Sequence, residues 1–325
     1  MNYLKKLILL SRVLPRLGVM NVLRVFTYRL KIGVAFIEKR SIKEPPNDYI
    51  FQTGNFKQVA QKSQSLLLFG WYNKQYAGKP SWHSNPLNSR EKIDPKLTWP
   101  RALKSLRGSD VKPYWEASRF DWVPRLASES LRGNTKALDH LNCWVDDWIK
   151  KNPPFMGINW SCGQETSLRV VNLAMAQLIL NKKIVPSRTL KWFLEVSYDR
   201  IHSTFHYAIG QDNNHGVSES CAIFIIGCWG KVLNLPNAHR LQHFGRKWLE
   251  DRAQKIIQPD GSPAQYSTNY HRLNLELFCI AELFRSYSGE KEFSEKFIKR
   301  VCLGASWLFH ITNPKNGFAP NIGAN

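Results

Sequence analysis

The chain is poor in acidic side chains: 25 Asp and Glu stand against 46 Lys and Arg in 325 residues, a formal net charge of +21. That imbalance disfavours a cationic partner and favours an anionic one, whether polysaccharide, nucleic acid or lipid, because surplus cations attract a polyanion and speed its arrival. Cations are accordingly expected to gather on the side and rim of the cleft that receives it. Cys-x-x-Cys pairs are absent, which removes support for zinc held by paired thiolates. The six cysteines, Cys143, Cys162, Cys221, Cys228, Cys279 and Cys302, stand apart among apolar neighbours and read as buried thiols. The histidines supply no H-x-x-x-H with a flanking Glu; His202 and His206 are four apart but lack a third ligand, and no metal or cofactor is expected. Helix-turn-helix, zinc-finger and RNP signatures are also missing, which leaves nucleic acid a poor candidate.

Long apolar runs are lacking too. Leu7 to Leu10 is too brief for a membrane span or the core of a secretion signal, so the compartment stays open between cytoplasm and the periplasm or cell surface. No fixed-period repeat appears, which weighs against a solenoid. No Pro/Gly/Ser-rich linker divides the chain, and one domain is expected. Residues 1–40 form a basic amphipathic segment, with basic and apolar side chains at helical spacing in residues 3–30. Such a helix either packs on its own domain or lies on an anionic membrane surface. Residues 41–114, rich in Pro, Trp, Asn and Ser, read as an irregular, loop-rich part with short helices.

From about residue 115 the apolar spacing is near 3.6 rather than 2, so the fold class is all-α. Leu138, Leu141, Val145, Trp148 and Ile149 make one stripe, and Asn152-Pro153-Pro154 ends that helix because proline lacks an N–H and restricts the residue before it. Further helices are expected at about 164–182, 187–207, 216–233, 238–257, 268–287 and 293–311. Their short connections suggest helix hairpins, arranged around a common axis or stacked.

Four segments then resemble the heparinase II/III-like polysaccharide lyases. They are Trp82-His83-Ser84-Asn85-Pro86 with Lys112-Pro113-Tyr114-Trp115-Glu116-Ala117-Ser118-Arg119; Asn152-Pro153-Pro154 with Gly157-Ile158-Asn159-Trp160-Ser161-Cys162-Gly163-Gln164-Glu165 and Arg169; Asp212-Asn213-Asn214-His215-Gly216-Val217-Ser218-Glu219; and Asp260-Gly261-Ser262 through Gln265, Ser267, Tyr270, His271 and Arg272. The resemblance implies an incomplete (α/α) toroid, here residues 115–325, followed in the family by a β-sandwich that these residues do not include. It also implies β-elimination in uronic-acid-containing polysaccharide, with Asn214 and His215 neutralising the substrate carboxylate and Tyr270 as base and then acid. A sandwich-borne histidine would complete the family's site, which makes a non-catalytic, anionic-glycan-binding toroid the alternative.

Each of these residues also has a plainer role. Asn213-Asn214-His215 could simply cap the following helix, and the two roles can coexist. Tyr270 could be a core residue, or a phenol whose proton is loosened by Arg272 or a protonated His271. Glu165 with Arg169 and Glu116 with Arg119 have the spacing of ion pairs on one helix face. Trp115 and Trp160 could stack on sugar rings or fill the core. With Asn213, Glu219, His271 and Arg272, these residues are the candidates for substrate contact. Oligomeric state is not legible.

Overall fold

In the computed structural model the described residues are 17–33, 44–51, 64–181 and 187–323. Residues 1–16 and 34–40 of the basic segment lie outside them; within the rest, Val19–Gly33 is helix α1. Two β-hairpins follow, β1 (Gln64–Leu68) with β2 (Tyr72–Tyr76) and β3 (Ser84–Asn85) with β4 (Asn88–Lys92), both antiparallel. They correct the expectation of a loop-rich stretch with short helices alone. In β1 the side chains alternate, Leu66 and Leu68 buried and Leu67 exposed, but five residues give too short a period-2 signal to stand out beside Pro- and Asn-rich neighbours.

Short helices α2 (Trp99–Ser105) and α3 (Lys112–Glu116) each carry proline in the first turn, where a missing N–H costs nothing. A 3₁₀ turn, Ala117–Arg119, leads into α4 (Trp122–Leu131) and α5 (Thr135–Lys151). A second 3₁₀ turn, Ile158–Trp160, opens the main run: α6 (Gly163–Leu180), α7 (Arg188–Gly210), α8 (Asn214–Val232), α9 (Ala238–Ile256), α10 (Thr268–Tyr287) and α11 (Glu295–Ile311). Ser187, Ser267 and Ser294 cap α7, α10 and α11 by accepting the N–H three residues on, so polar side chains at the expected boundaries set the helix starts. The helices curl into the expected incomplete toroid.

Helix α8 is its hub. From Gly216 to Gly230 every residue is buried, against α6, α7, α9 and α10, and its sequence is apolar all round rather than on one stripe. Two glycines permit its close pairing with α9. A Cβ on Gly227 would stand 2.2 Å from the backbone nitrogen of Gln242, and one on Gly245 would stand 2.3 Å from that of Phe224. Toward α5 the core turns aromatic, with Phe120 against Trp148, Trp122 and Phe193, and Trp148 against Trp160. The cysteines are not uniformly buried. Cys221 and Cys228 are, but Cys143 and Cys162 are half-buried, and Cys279 and Cys302 face outward, because apolar sequence neighbours on a helix do not share a residue's face.

Gly245→Ala is expected to lower stability by about 1–3 kcal/mol or more, since the added methyl meets backbone that cannot rotate away. Ala at the exposed Gly289 meets nothing but carries the cost of a left-handed backbone alone. Thermal unfolding checks this: a Gly245→Ala chain as stable as the parent would show that α8 and α9 are not in such close contact.

Candidate active site

Three helix N-termini meet at one cavity of about 650 Å³. Gln164 and Glu165 from the start of α6, Asn214 and His215 from the start of α8, and Tyr270 from the first turn of α10 all line it. The α8 start is a cap in the strict sense: Asn213 is extended, and its Oδ1 accepts the His215 N–H at 3.0 Å. Asn213 therefore holds the helix end rather than the cavity wall. Asn214, next in line, is fixed by two glutamines. Its Nδ2 donates to Gln164 Oε1 at 2.5 Å, its Oδ1 accepts from Gln265 Nε2 at 2.9 Å, and its backbone N–H donates to Gln265 Oε1 at 3.2 Å. An amide nitrogen carries two N–H groups, so a second remains for a carboxylate in the cavity. Tyr270 is set by Ser267, whose Oγ accepts its backbone N–H at 3.3 Å.

The loop before α8 is locked from behind. Asp212 takes a left-handed φ of 46° and accepts from the buried Arg252 of α9 at 2.5 Å. Arg119, opposite, sits in a fork. Its Nε and Nη2 donate to the two oxygens of Glu165 at 2.8 and 3.1 Å, and its Nη1 to Glu116 at 2.7 Å. Burial opposes that charge, but the two carboxylates outweigh it and hold the guanidinium above its ordinary pKa. Glu116 also accepts the Phe69 N–H at 2.5 Å, tying the first hairpin to the back of the site.

The cavity wall carries no cationic surplus. Lys112, Arg119 and His215 face Asp121, Glu165 and Glu276. Asp121 is pushed up to about 6 by desolvation, with Glu116 and Glu165 adding to it and Arg119 opposing, and burial also raises Glu276. The expected concentration of Lys and Arg is thus not found on the lining. An anion would instead meet the N-terminal ends of α8 and α10, whose first turns hold no acidic residue.

Of the candidates, Asn214, His215, Tyr270, Trp115, Arg119 and Glu165 line the cavity. Several others support it from within. Trp160 is fully buried against Trp148 and Phe155, so it is core and not a sugar platform. Arg169 is buried too, its guanidinium 4.6 Å from the Trp148 ring and donating to Asn159 O and Thr166 Oγ1; it does not pair with Glu165, which is taken by Arg119. His271 is buried with Nε2 at 3.1 Å from Gly304 O, and burial lowers its pKa, so it is no cation for Tyr270. Arg272 is exposed and bonded to Asn269. Lys112, Asp121, Asn172 and Glu276 were not singled out in the sequence. Lys112 stood inside a quoted motif; the others lacked any spacing signal.

Glu219 lies beneath the cavity, one turn after His215 on α8. It is buried, and its Oε2 has no hydrogen-bond partner. A Cβ on Gly163, at the start of α6, would come within 2.4 Å of its Oε1, so glycine leaves room for that carboxyl. Desolvation pushes Glu219 up to about 8 despite the opposing charges of His215 and Arg200.

Residues 58–323 match the family model of the heparinase II/III N-terminus. The chain belongs to this family. Two solved chains, a heparinase III and the same protein with methylated lysines, are 17% identical to it with TM-scores of 0.44 and 0.43, over 65% of this chain. The chain spans 36% of the length of those heparinase III chains. No curated protein matches it.

A heparinase-family toroid with a neutral, buried Glu219 has a defined pH signature. The folded chain keeps a proton on Glu219 that the unfolded chain releases above about 4.5, so this contribution is complete below that pH and is lost as pH rises through about 8. Glu219→Gln, which cannot ionise, is expected to gain thermal stability relative to the parent progressively between those limits. Parallel melting-temperature profiles for the two would show that Glu219 is not held neutral.

Proposed function

We propose that the cavity binds a uronic-acid-containing anionic polysaccharide and cleaves it by β-elimination. Support comes from membership of the heparinase II/III N-terminal family and, above all, from one observation: Asn214, His215 and Tyr270, drawn from two separate helix starts, line a single cavity. In this reading the second N–H of the Asn214 amide, the His215 ring and the α8 N-terminus neutralise the uronate carboxylate. That makes C5–H more acidic, because the carboxylate must take up charge as the proton leaves. Tyr270, as phenolate, takes the C5 proton; the electron pair forms the C4–C5 double bond, the C4–O4 bond breaks, and the proton passes to O4. Arg119, held by Glu165 and Glu116, and Trp115, whose Nε1 donates to Ile158 O at 3.0 Å, form the wall along which neighbouring sugars lie.

The assay is the ultraviolet absorbance of the unsaturated uronate released from alginate, hyaluronan, heparan sulfate and chondroitin. Tyr270→Phe and His215→Ala should each lower the rate by about 10²–10⁴-fold. Turnover that survives both substitutions would remove this site. Binding of a polymer with no turnover, undiminished by Tyr270→Phe, would leave a glycan-binding toroid in its place.

A further inference from the structure

Helix α1 is turned the unusual way round. The side it lays on the domain carries Asn21, Arg24 and Tyr28. Asn21 Nδ2 donates to Asp212 Oδ2 at 2.6 Å, and Tyr28 stacks on Tyr207 of α7 with ring centroids 3.9 Å apart and planes 11° apart. Arg24 and Asn21 close over Gly210, where an added Cβ would stand 3.1 Å from Arg24 Cβ. The opposite side is the apolar one. Val19, Leu23, Phe26 and Leu30 are 64, 51, 58 and 51% exposed. At 3.6 residues per turn they fall within an arc of about 60°, directly across the helix from Asn21 and Tyr28. Met20 extends the strip at 63% exposure.

An amphipathic helix on a water-soluble surface normally buries such a strip against its own core. Here the core contact is made by the polar and aromatic side, and four large apolar side chains in register point away. The sequence of this segment carries charge of one sign. Residues 1–37 hold seven Lys and Arg, namely Lys5, Lys6, Arg12, Arg16, Arg24, Arg29 and Lys31, and no Asp or Glu. No helix among the described residues is long and apolar enough to cross a membrane.

We propose that α1 is a peripheral docking helix for an anionic lipid surface, lying in the interface with Val19, Leu23, Phe26 and Leu30 inserted, the positive charge of the segment's sequence drawing it to the headgroups. Apolar burial and headgroup charge each give marginal binding alone and act together, which matches a short helix with both. A protein partner would need acidic complementarity over the whole segment; a phosphatidylglycerol-type surface offers that charge without any fixed geometry. The proposal does not rest on the lyase reading, since its measurement involves no polysaccharide.

The experiment is flotation of the full chain with vesicles of phosphatidylcholine, with and without phosphatidylglycerol, read alongside its melting temperature and sedimentation. The parent chain should partition onto the anionic vesicles and release from them at high salt. Leu23→Glu with Phe26→Glu should lower that partition at least about tenfold with the melting temperature unchanged, because both side chains lie in solvent. Leu283→Glu, an equally exposed leucine on α10 at 60%, should leave it unaltered. Absent partition, or partition that the double substitution leaves intact, overturns the proposal. So does a double substitution that splits an oligomer, which assigns the face to a second copy, or one that destabilises the fold, which assigns it to residues 1–16.

Discussion

Two buried guanidinium groups hold the part of the chain on which the site depends. Arg169 of α6 and Arg200 of α7 both reach the same short turn, Arg169 donating to Asn159 O at 2.9 Å, and Arg200 to Trp160 O and Ser161 O at 2.5 and 2.9 Å. Each also lies over an indole, Arg169 over Trp148 and Trp160, Arg200 over Trp99. A carbonyl buried without a donor costs about 1–3 kcal/mol, so three such acceptors could not stay in the interior unaided. The arginines satisfy them and at the same time fix where α6 begins. Gln164 and Glu165 follow at once, and with them the partners of Asn214 and Arg119. Cavity geometry is thereby inherited from core packing.

That dependence explains a separation that composition conceals. The sequence carries a net charge of +21, while the cavity lining is balanced between three basic and three acidic residues. Attraction for an anion within it arises from oriented peptide groups at the starts of α8 and α10, a field fixed by backbone geometry and little screened because it is partly enclosed. In the proposed function, surface lysines would bring a polyanion near, and Asn214, its glutamine clamp and the helix end would decide where its carboxylate comes to rest. The carboxyls in the wall fit the same picture, since burial pushes both Asp121 and Glu276 toward their neutral forms and they oppose an incoming anion less than their number suggests.

Much of the helical order was legible because it is local. Prolines and serines mark the helix starts, and the 3.6 period gave every long helix from α5 to α11 to within about three residues. The two hairpins were not, since their strands are short and one of them, Asn88–Lys92, is exposed throughout and has no apolar alternation to read. Within the site, Asn214, His215 and Tyr270 could be named from motif order, but motif membership does not say which way a side chain points. Trp160 and Arg169 belong to the same motif as Gln164 and Glu165, yet face the core, Trp160 from the 3₁₀ turn before α6 and Arg169 because the helix turns it inward. Asp121 comes from the turn before α4, Asn172 from α6 and Glu276 from α10, and only the tertiary fold makes them neighbours. Pairings followed the same rule: Glu165 chose Arg119, 46 residues away, over Arg169 one turn along, because Arg169 was already committed to the buried turn.

The loop from Gly210 to Asn213 shows how one short segment can serve two faces. Its left-handed Asp212 accepts Arg252 from inside the domain and Asn21 of α1 from outside, and the next residue caps α8. Arg252 in turn needs Gly216, where a Cβ would stand 2.9 Å from its Cδ. A carboxylate with two such donors is stiffly placed, and the cap and Asn214 follow within two residues. Asp212 is thus one tie between α1 and the start of α8, beside the Tyr28–Tyr207 stack and the contact of Asn21 and Arg24 with Gly210. A polymer threading the cavity and a surface meeting Val19, Leu23, Phe26 and Leu30 would each encounter the other in a single defined orientation, which a flexible tether at the same point in the chain would not impose.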